Sequence, residues 1–238
     1  MKIEKIELRE LHVRLKFRFE TSFGVEQDLR KVILTLHSDG IEGYGECTAG
    51  EFPGYSYETA DTAWDCITQH IAPLVIGKNF DTSQQLLHAL KFIRGHNMAV
   101  ATLETAFWDA QAKAMNVPLW QLIGGRNTEI PVGASIGVQE SIEKTVESAT
   151  AHKDEGYKRL KFKIKPGWDV KPLRAVREAL PDMNLTVDAN SAYRLVDANI
   201  MQQLDELNLD YIEQPLAYDD LLDHAKLQAM LKTPICLD

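Results

Sequence analysis

Cysteine is scarce: three in 238 residues, Cys47, Cys66 and Cys236. They are odd in number, far apart and in no metal-binding spacing, which argues against a disulfide framework or thiolate metal site and fits a reducing, cytoplasmic setting. Positive charge is also short, with Lys+Arg 26 against Asp+Glu 35 and a net charge of -9. That is the wrong sign for work on phosphate backbones or anionic lipid, so no nucleic-acid or membrane partner is expected. Long apolar runs are missing too. The amino terminus, MKIEKIELRELHVRLKFRF, carries a charge every second or third residue, unlike a signal peptide or a membrane span. Gly40, Gly43 and Gly45 do not make G-x-G-x-x-G and no helix follows them, which weighs against a dinucleotide site. The seven histidines show no i, i+4 pair and read as surface or structural groups.

The first half of the chain alternates. KIEKIELRELHVRL and RKVILTLHS, followed by the turn signal Ser38-Asp39-Gly40 and then EGYGEC, read as antiparallel hairpins. Apolar residues at helical spacing follow over 59–94 and 98–123, the second stretch closing at LIGG with glycine at the C-cap. From PVGASIG (131–137) onward the rhythm is strand then helix. Strands are expected at 131–137, 158–164, 184–188, 210–213 and 234–238, with helices near 139–154, 169–180, 196–207 and 219–231. A repeat of this kind implies a parallel sheet with right-handed crossovers, in a barrel or an open doubly wound sheet. The chain ends inside an apparent strand, and five strands do not close a barrel of eight, so a carboxyl-terminal truncation is expected. The domains expected are 1–125, an α+β unit, and 126–238, the first part of a (β/α) barrel ending within its fifth strand.

Three carboxylates stand at the ends of successive strands: Asp188 in LTVDAN, Glu213 in DYIEQP and Asp238 in PICLD. Each is one strand-helix unit from the next, so neighbouring strands use equivalent points, at the end of a barrel where active sites lie. Taken singly, each also suits a helix N-cap. Three anions in register need a cation between them, and three oxygen ligands with open positions describe a Mg²⁺ site. One unit earlier stands RLKFKIKPG (159–167). Period-two alternation sends Leu160, Phe162 and Ile164 toward the helices and Lys161 and Lys163 toward the interior. A desolvated lysine beside another cation has a lowered pKa and serves as a general base. Lys165, before Pro166-Gly167, reads as a solvated loop residue. A lysine facing a divalent cation suits removal of the proton α to a carboxylate. A Schiff-base lysine and a catalytically inactive remnant are the rival readings.

These residues resemble a known family. Lys161/Lys163, the DAN of Asp188, the EQP of Glu213 and the CLD of Asp238 look like the muconate-lactonising subgroup of the enolase superfamily, whose lysine-and-Mg²⁺ pattern is long established. The helix ATLETAFWDAQAKAMNVPLWQLIGG (101–125) is similar to the one leading into that superfamily's barrel. KIKPGWD and TPICLD look more narrowly like o-succinylbenzoate synthases and their N-acylamino acid racemase relatives. The resemblance implies an α/β fold with an α+β capping domain over an enolase-like (β/α)₇β TIM-type barrel. It implies Mg²⁺, with Mn²⁺ able to substitute, held by Asp188, Glu213 and Asp238. It also implies Lys163 as the acid/base, Lys161 tuning it, and a second catalytic lysine on the sixth barrel strand, beyond Asp238. The loop FRFETSFG (18–24) would close over the substrate, with Phe19 and Phe23 shielding it. By position alone, Ser135, near the end of the first barrel strand, and Asn190, two past Asp188, are candidates either to hydrogen-bond substrate or to cap a strand end. The activity implied is dehydration to o-succinylbenzoate in menaquinone biosynthesis, with N-acylamino acid racemisation or dipeptide epimerisation as alternatives. The expected partners are a small-molecule carboxylate and further copies of the chain.

Overall fold

A computed structural model describes residues 1–238. Contacts divide the chain into two units, Met1–Lys16 with Asp28–Thr128, and Phe17–Gln27 with Glu129–Asp238. Residues 17–27 therefore go with the second unit, whereas the sequence pattern groups them with the first. Their attachments, described below, explain why.

The first unit is built on a sheet of order β1-β2-β3, with strands Lys5–Glu20, Val25–Ser38 and Ile41–Cys47, of which residues 17–20 and 25–27 go with the second unit. β2 and β3 pair antiparallel from Val32↔Cys47 to Ser38↔Ile41. Asp39 and Gly40 between them both have positive φ, 49° and 76°, the type I′ geometry that matches strand twist. β3 alternates, burying Gly43, Gly45 and Cys47 and exposing Glu42, Tyr44 and Glu46. The glycines lie against α4 (Asn97–Ala114). A Cβ on Gly43 would overlap the carbonyl oxygen of Ala106, and one on Gly45 that of Thr102. Ala99, Thr102, Ala106 and Ala110 keep the facing side of α4 shallow and are all buried. The buried Glu58 carboxylate accepts the Met98 and Ala99 N–H groups at 2.7 and 3.0 Å, satisfying orphan donors at the positive end of the helix dipole.

The two long helices expected at 59–94 and 98–123 are broken. The first is α1 (Ala60–Asp65), a π-helical turn (Cys66–Ile71), α2 (Ala72–Val75) and, after Gly77 at φ +81°, α3 (Ser83–Ala89). The second stops at Ala114, because Asn116 is left-handed (φ 51°) and Pro118 has no N–H to continue the ladder. LIGG does close a helix, but only the short α5 (Leu119–Leu122), where Gly124 and Gly125 donate to the carbonyls of Gln121 and Trp120 in a Schellman motif.

The second unit holds a parallel sheet in sequential order, β4 (Gly133–Ile136), β5 (Arg159–Lys163), β6 (Asn184–Asp188), β7 (Ile212–Glu213) and β8 (Ile235–Cys236). The connecting helices are α6 (Ile142–Asp154), α7 (Val170–Ala179), α8 (Ala198–Asp205) and α9 (Leu221–Gln228), close to the expected positions. Leu160, Phe162, Ile164, Leu185, Val187 and Ile212 form one hydrophobic core with Leu173, Val176, Met201 and Leu204 of the helices. The opposite sheet face carries the charged residues. No helix in the chain is long and apolar enough to cross a membrane.

The contact of β3 with α4 gives a direct test. Gly45→Ala should lower stability by about 3 kcal/mol, since the clash is with backbone, while Glu46→Ala beside it should change it by less than about 0.5 kcal/mol. Urea denaturation compares them, and equal midpoints would contradict the close approach.

Candidate active site

Strand register defines two layers on the polar face of the sheet. In the lower layer Ser135, Lys161 and Thr186 are neighbours on β4, β5 and β6. In the upper, nearer the carboxyl ends, Lys163 pairs with Asp188, Asp188 with Glu213, and Glu213 with Cys236. Parallel strands place register partners about 4.8 Å apart with side chains on one face, so the lysines and carboxylates meet as the alternation predicts.

Lys163 Nζ donates to Asp188 Oδ2 at 2.6 Å and to Asn190 Oδ1 at 2.9 Å. Lys161 leans up from its own layer and bridges Glu213 Oε1 at 2.5 Å and Asp188 Oδ2 at 2.9 Å. Asp188 is 1% exposed and Glu213 9%. Burial resists ionisation of Asp188, but Lys163 and Lys161 outweigh it and hold the carboxyl below the usual aspartate range. For Glu213, burial comes first; Lys161 opposes it, the Asp188 charge adds to it, and the pKa lies above the usual glutamate range. Burial also works against the charge on Lys161, yet its bonds to Glu213 and Asp188 raise its pKa above the usual lysine value. The lowered lysine pKa expected from the sequence is therefore reversed for Lys161. Its nearest charged neighbours are carboxylates, not a second ammonium.

Asp238 does not keep this register. Glu213 follows Asp188 by 25 residues in true register, but the next partner, Cys236, comes after only 23. The crossover into β8 is two residues shorter, so Asp238 lies one pleat beyond the expected position. It is exposed, and its N–H donates to Gln214 Oε1 at 2.8 Å. No three His, Cys, Asp or Glu side chains in the chain stand close enough to hold a metal ion. The donor chemistry nevertheless suits a hard divalent cation. All three candidates are carboxylates, two are buried side by side, and an ammonium already bridges that pair.

Asn190, in a left-handed conformation at φ 43°, donates its N–H to Asp188 Oδ1 at 2.9 Å. It thus holds both Lys163 and Asp188. Its carbonyl accepts Ser22 Oγ at 3.3 Å, and the Glu20 carbonyl accepts the Val138 N–H at 3.0 Å. A Cβ on Gly137 would lie 3.0 Å from the Glu20 oxygen and 3.4 Å from Phe19 Cδ2. These contacts tie segment 17–27 to the ends of β4 and β6. Phe19 is half-buried there, and Phe23 is 52% exposed.

Lys165 is a partly exposed loop residue, as expected, but it also has protein partners. It exchanges backbone hydrogen bonds with Trp168 around Pro166-Gly167 and reaches Glu20 Oε1 at 2.8 Å. Glu20 is invisible to local patterning because its partner lies 145 residues away. Thr186 was also missed, although its parity with Asp188 places it on the polar face. It is fully buried, and its Oγ1 bonds to no protein group.

The sequence and fold match known proteins. The description "Mandelate racemase / muconate lactonizing enzyme, N-terminal domain" matches residues 5–124, and "Enolase C-terminal domain-like" matches 144–238. The chain belongs to the mandelate racemase/muconate lactonizing enzyme family of the enolase superfamily. Within this family it is 52% identical to the N-succinylamino acid racemase of Thermus thermophilus, over 100% of the chain and 64% of the relative. It is 47% identical to the o-succinylbenzoate synthase of Geobacillus kaustophilus, over 99% of the chain and 63% of that protein. An enolase-superfamily structure from Listeria innocua matches with a TM-score of 0.95 at 37% identity, covering 100% of this chain and 64% of that one. The chain therefore spans a little under two thirds of the length of these relatives, and the fold is the family's α+β unit plus parallel α/β unit.

The raised pKa of Lys161 fixes a sign. A lysine raised by pairing adds stability that is complete below its unfolded value, near 10.5, and is lost as pH climbs through the folded value. The urea midpoint should therefore fall more steeply above about pH 10 in the parent than in Lys161→Met. Parallel curves would contradict the pairing.

Proposed function

We propose that the chain builds the metal-and-base half-site of an o-succinylbenzoate synthase, which dehydrates 2-succinyl-6-hydroxy-2,4-cyclohexadiene-1-carboxylate in menaquinone biosynthesis. The observation that carries this reading is Lys163 hydrogen-bonded to Asp188, whose register partner is Glu213. Enzymes of this family act on small molecules and generally depend on a divalent metal. Asp188, Glu213 and Asp238 are the ligands proposed for Mg²⁺ here. Bound there, Mg²⁺ supplies positive charge to the substrate carboxylate as its α-carbon loses a proton.

The residues of the chain do the rest. Lys163 in its neutral form accepts the α-proton, and the C–H electron pair passes into the carboxylate. That pair then forms the new C=C as the C–O bond breaks, and the departing hydroxyl takes the proton back from the Lys163 ammonium and leaves as water, which returns Lys163 to its neutral form. Asn190 fixes the direction of the Lys163 amine, and Lys161 supplies a second positive charge. Ser135 is proposed to hydrogen-bond the substrate, while Phe19 and Phe23 keep water from it. In this reading residues 1–125 act as a capping domain. A second reading, N-succinylamino acid racemase, is favoured by the 52% identity to a protein of that name and uses the same first proton transfer.

Assaying the protein with Mg²⁺ on both substrates separates the readings. The first expects turnover of the cyclohexadiene carboxylate, lost with EDTA and lowered at least about 100-fold in Lys163→Ala. Racemisation without dehydration would replace it with the second reading. Turnover indifferent to EDTA would remove both.

A further inference from the structure

Lys161 and Lys163 hold their carboxylates differently. Lys163 stands in the same layer as Asp188, its register partner. Lys161 does not: its register neighbours are Ser135 and Thr186, and it reaches out of that layer to Asp188 and Glu213. Below it a hydroxyl is left over. Thr186 Oγ1 is buried without a hydrogen-bond partner, and such a group costs free energy unless another state of the protein satisfies it.

We propose that Lys161 has two seats, and that the Thr186 hydroxyl, with Ser135 opposite, is the lower one, taken when a divalent cation occupies Asp188 and Glu213. The inference rests on the metal reading of those carboxylates and extends it to a residue outside the ligand set. A cation binding both carboxylates displaces the ammonium that now bridges them. The displaced ammonium cannot remain between the anions and the cation, because like charges at that distance repel strongly. Thr186, level with it on the adjacent strand, presents a buried acceptor to receive it. The lysine stem has enough rotatable bonds to fold back by one layer. Ser135 flanks the same lysine from β4, so the lower seat offers a hydroxyl on each side.

Thr186 is thus a positioning residue. It lowers the cost of moving Lys161 and thereby strengthens cation binding, and its unpaired hydroxyl is a cost borne by the cation-free protein. Removing the hydroxyl without changing volume should therefore shift two quantities in opposite directions. A threonine that merely packed would shift neither cation affinity nor its dependence on Lys161.

Calorimetric titration of Mg²⁺ into the 238-residue chain, with thermal unfolding in EDTA, tests this. Thr186→Val should bind Mg²⁺ about five- to tenfold more weakly while unfolding at a temperature no lower than the parent's. Thr186→Ser, which keeps the hydroxyl, should retain affinity within about twofold of the parent. In a Lys161→Met background the Thr186→Val effect on affinity should vanish. Parental affinity in Thr186→Val, equal weakening in the valine and serine variants, or an undiminished effect without Lys161 would each overturn the second seat. A parent chain that binds no Mg²⁺ would overturn the metal reading itself, and this inference with it.

Discussion

Two carboxylates buried side by side on neighbouring strands are the constraint on which the second unit turns. Asp188 and Glu213 face one another in register, and each loses most of its water on folding. Alone, such a pair could not hold two charges; one member would stay protonated. Two lysines from the adjacent strand prevent that for Asp188, and Glu213 remains the more strained of the pair, its pKa raised. The sheet makes this affordable. Its other face buries Leu160, Phe162, Ile164 and Val187 against the helices, so the register that brings the charges together is the one hydrophobic burial already demands. A one-residue slip in β5 would exchange lysines for Leu and Phe on both faces at once.

Around this cluster the loops serve to hold direction. Asn190 accepts the left-handed backbone that lets one residue bond Lys163, Asp188 and Ser22 together. The Lys165–Trp168 turn aims a further ammonium at Glu20, fixing segment 17–27 where β4, β5 and β6 end. Tyr193 donates to Asp169 at 3.0 Å, and Asp169 in turn caps α7 through the Val170 N–H. That contact braces the loop after β5 against the loop after β6. Rigidity of this kind suits the proton transfer proposed for Lys163.

Much of this was legible in the sequence. The strand-helix rhythm after residue 131 gave the parallel sheet, because each strand is short, apolar and set off by an amphipathic stretch. Alternation in RLKFKIK sorted the inward lysines from the core residues correctly. What local pattern does not carry is distance along the chain. Glu20 meets Lys165 only through tertiary structure, and the two-residue shortening before β8, which displaces Asp238 from an apparently even beat, shows only in the register. Helix ends failed for a different reason: a left-handed Asn116 and a π-helical turn are decided by packing, and periodicity runs straight through them.

Exchange of the substrate α-proton tests the central claim most directly, because it reports the base without requiring the complete reaction. With the protein and Mg²⁺ in D₂O, the α-proton signal of 2-succinyl-6-hydroxy-2,4-cyclohexadiene-1-carboxylate should decay in the ¹H NMR spectrum. Decay should cease in Lys163→Ala and persist in Lys165→Ala. Undiminished exchange in the Lys163 variant would contradict the account, since the proton would then be taken by some other group.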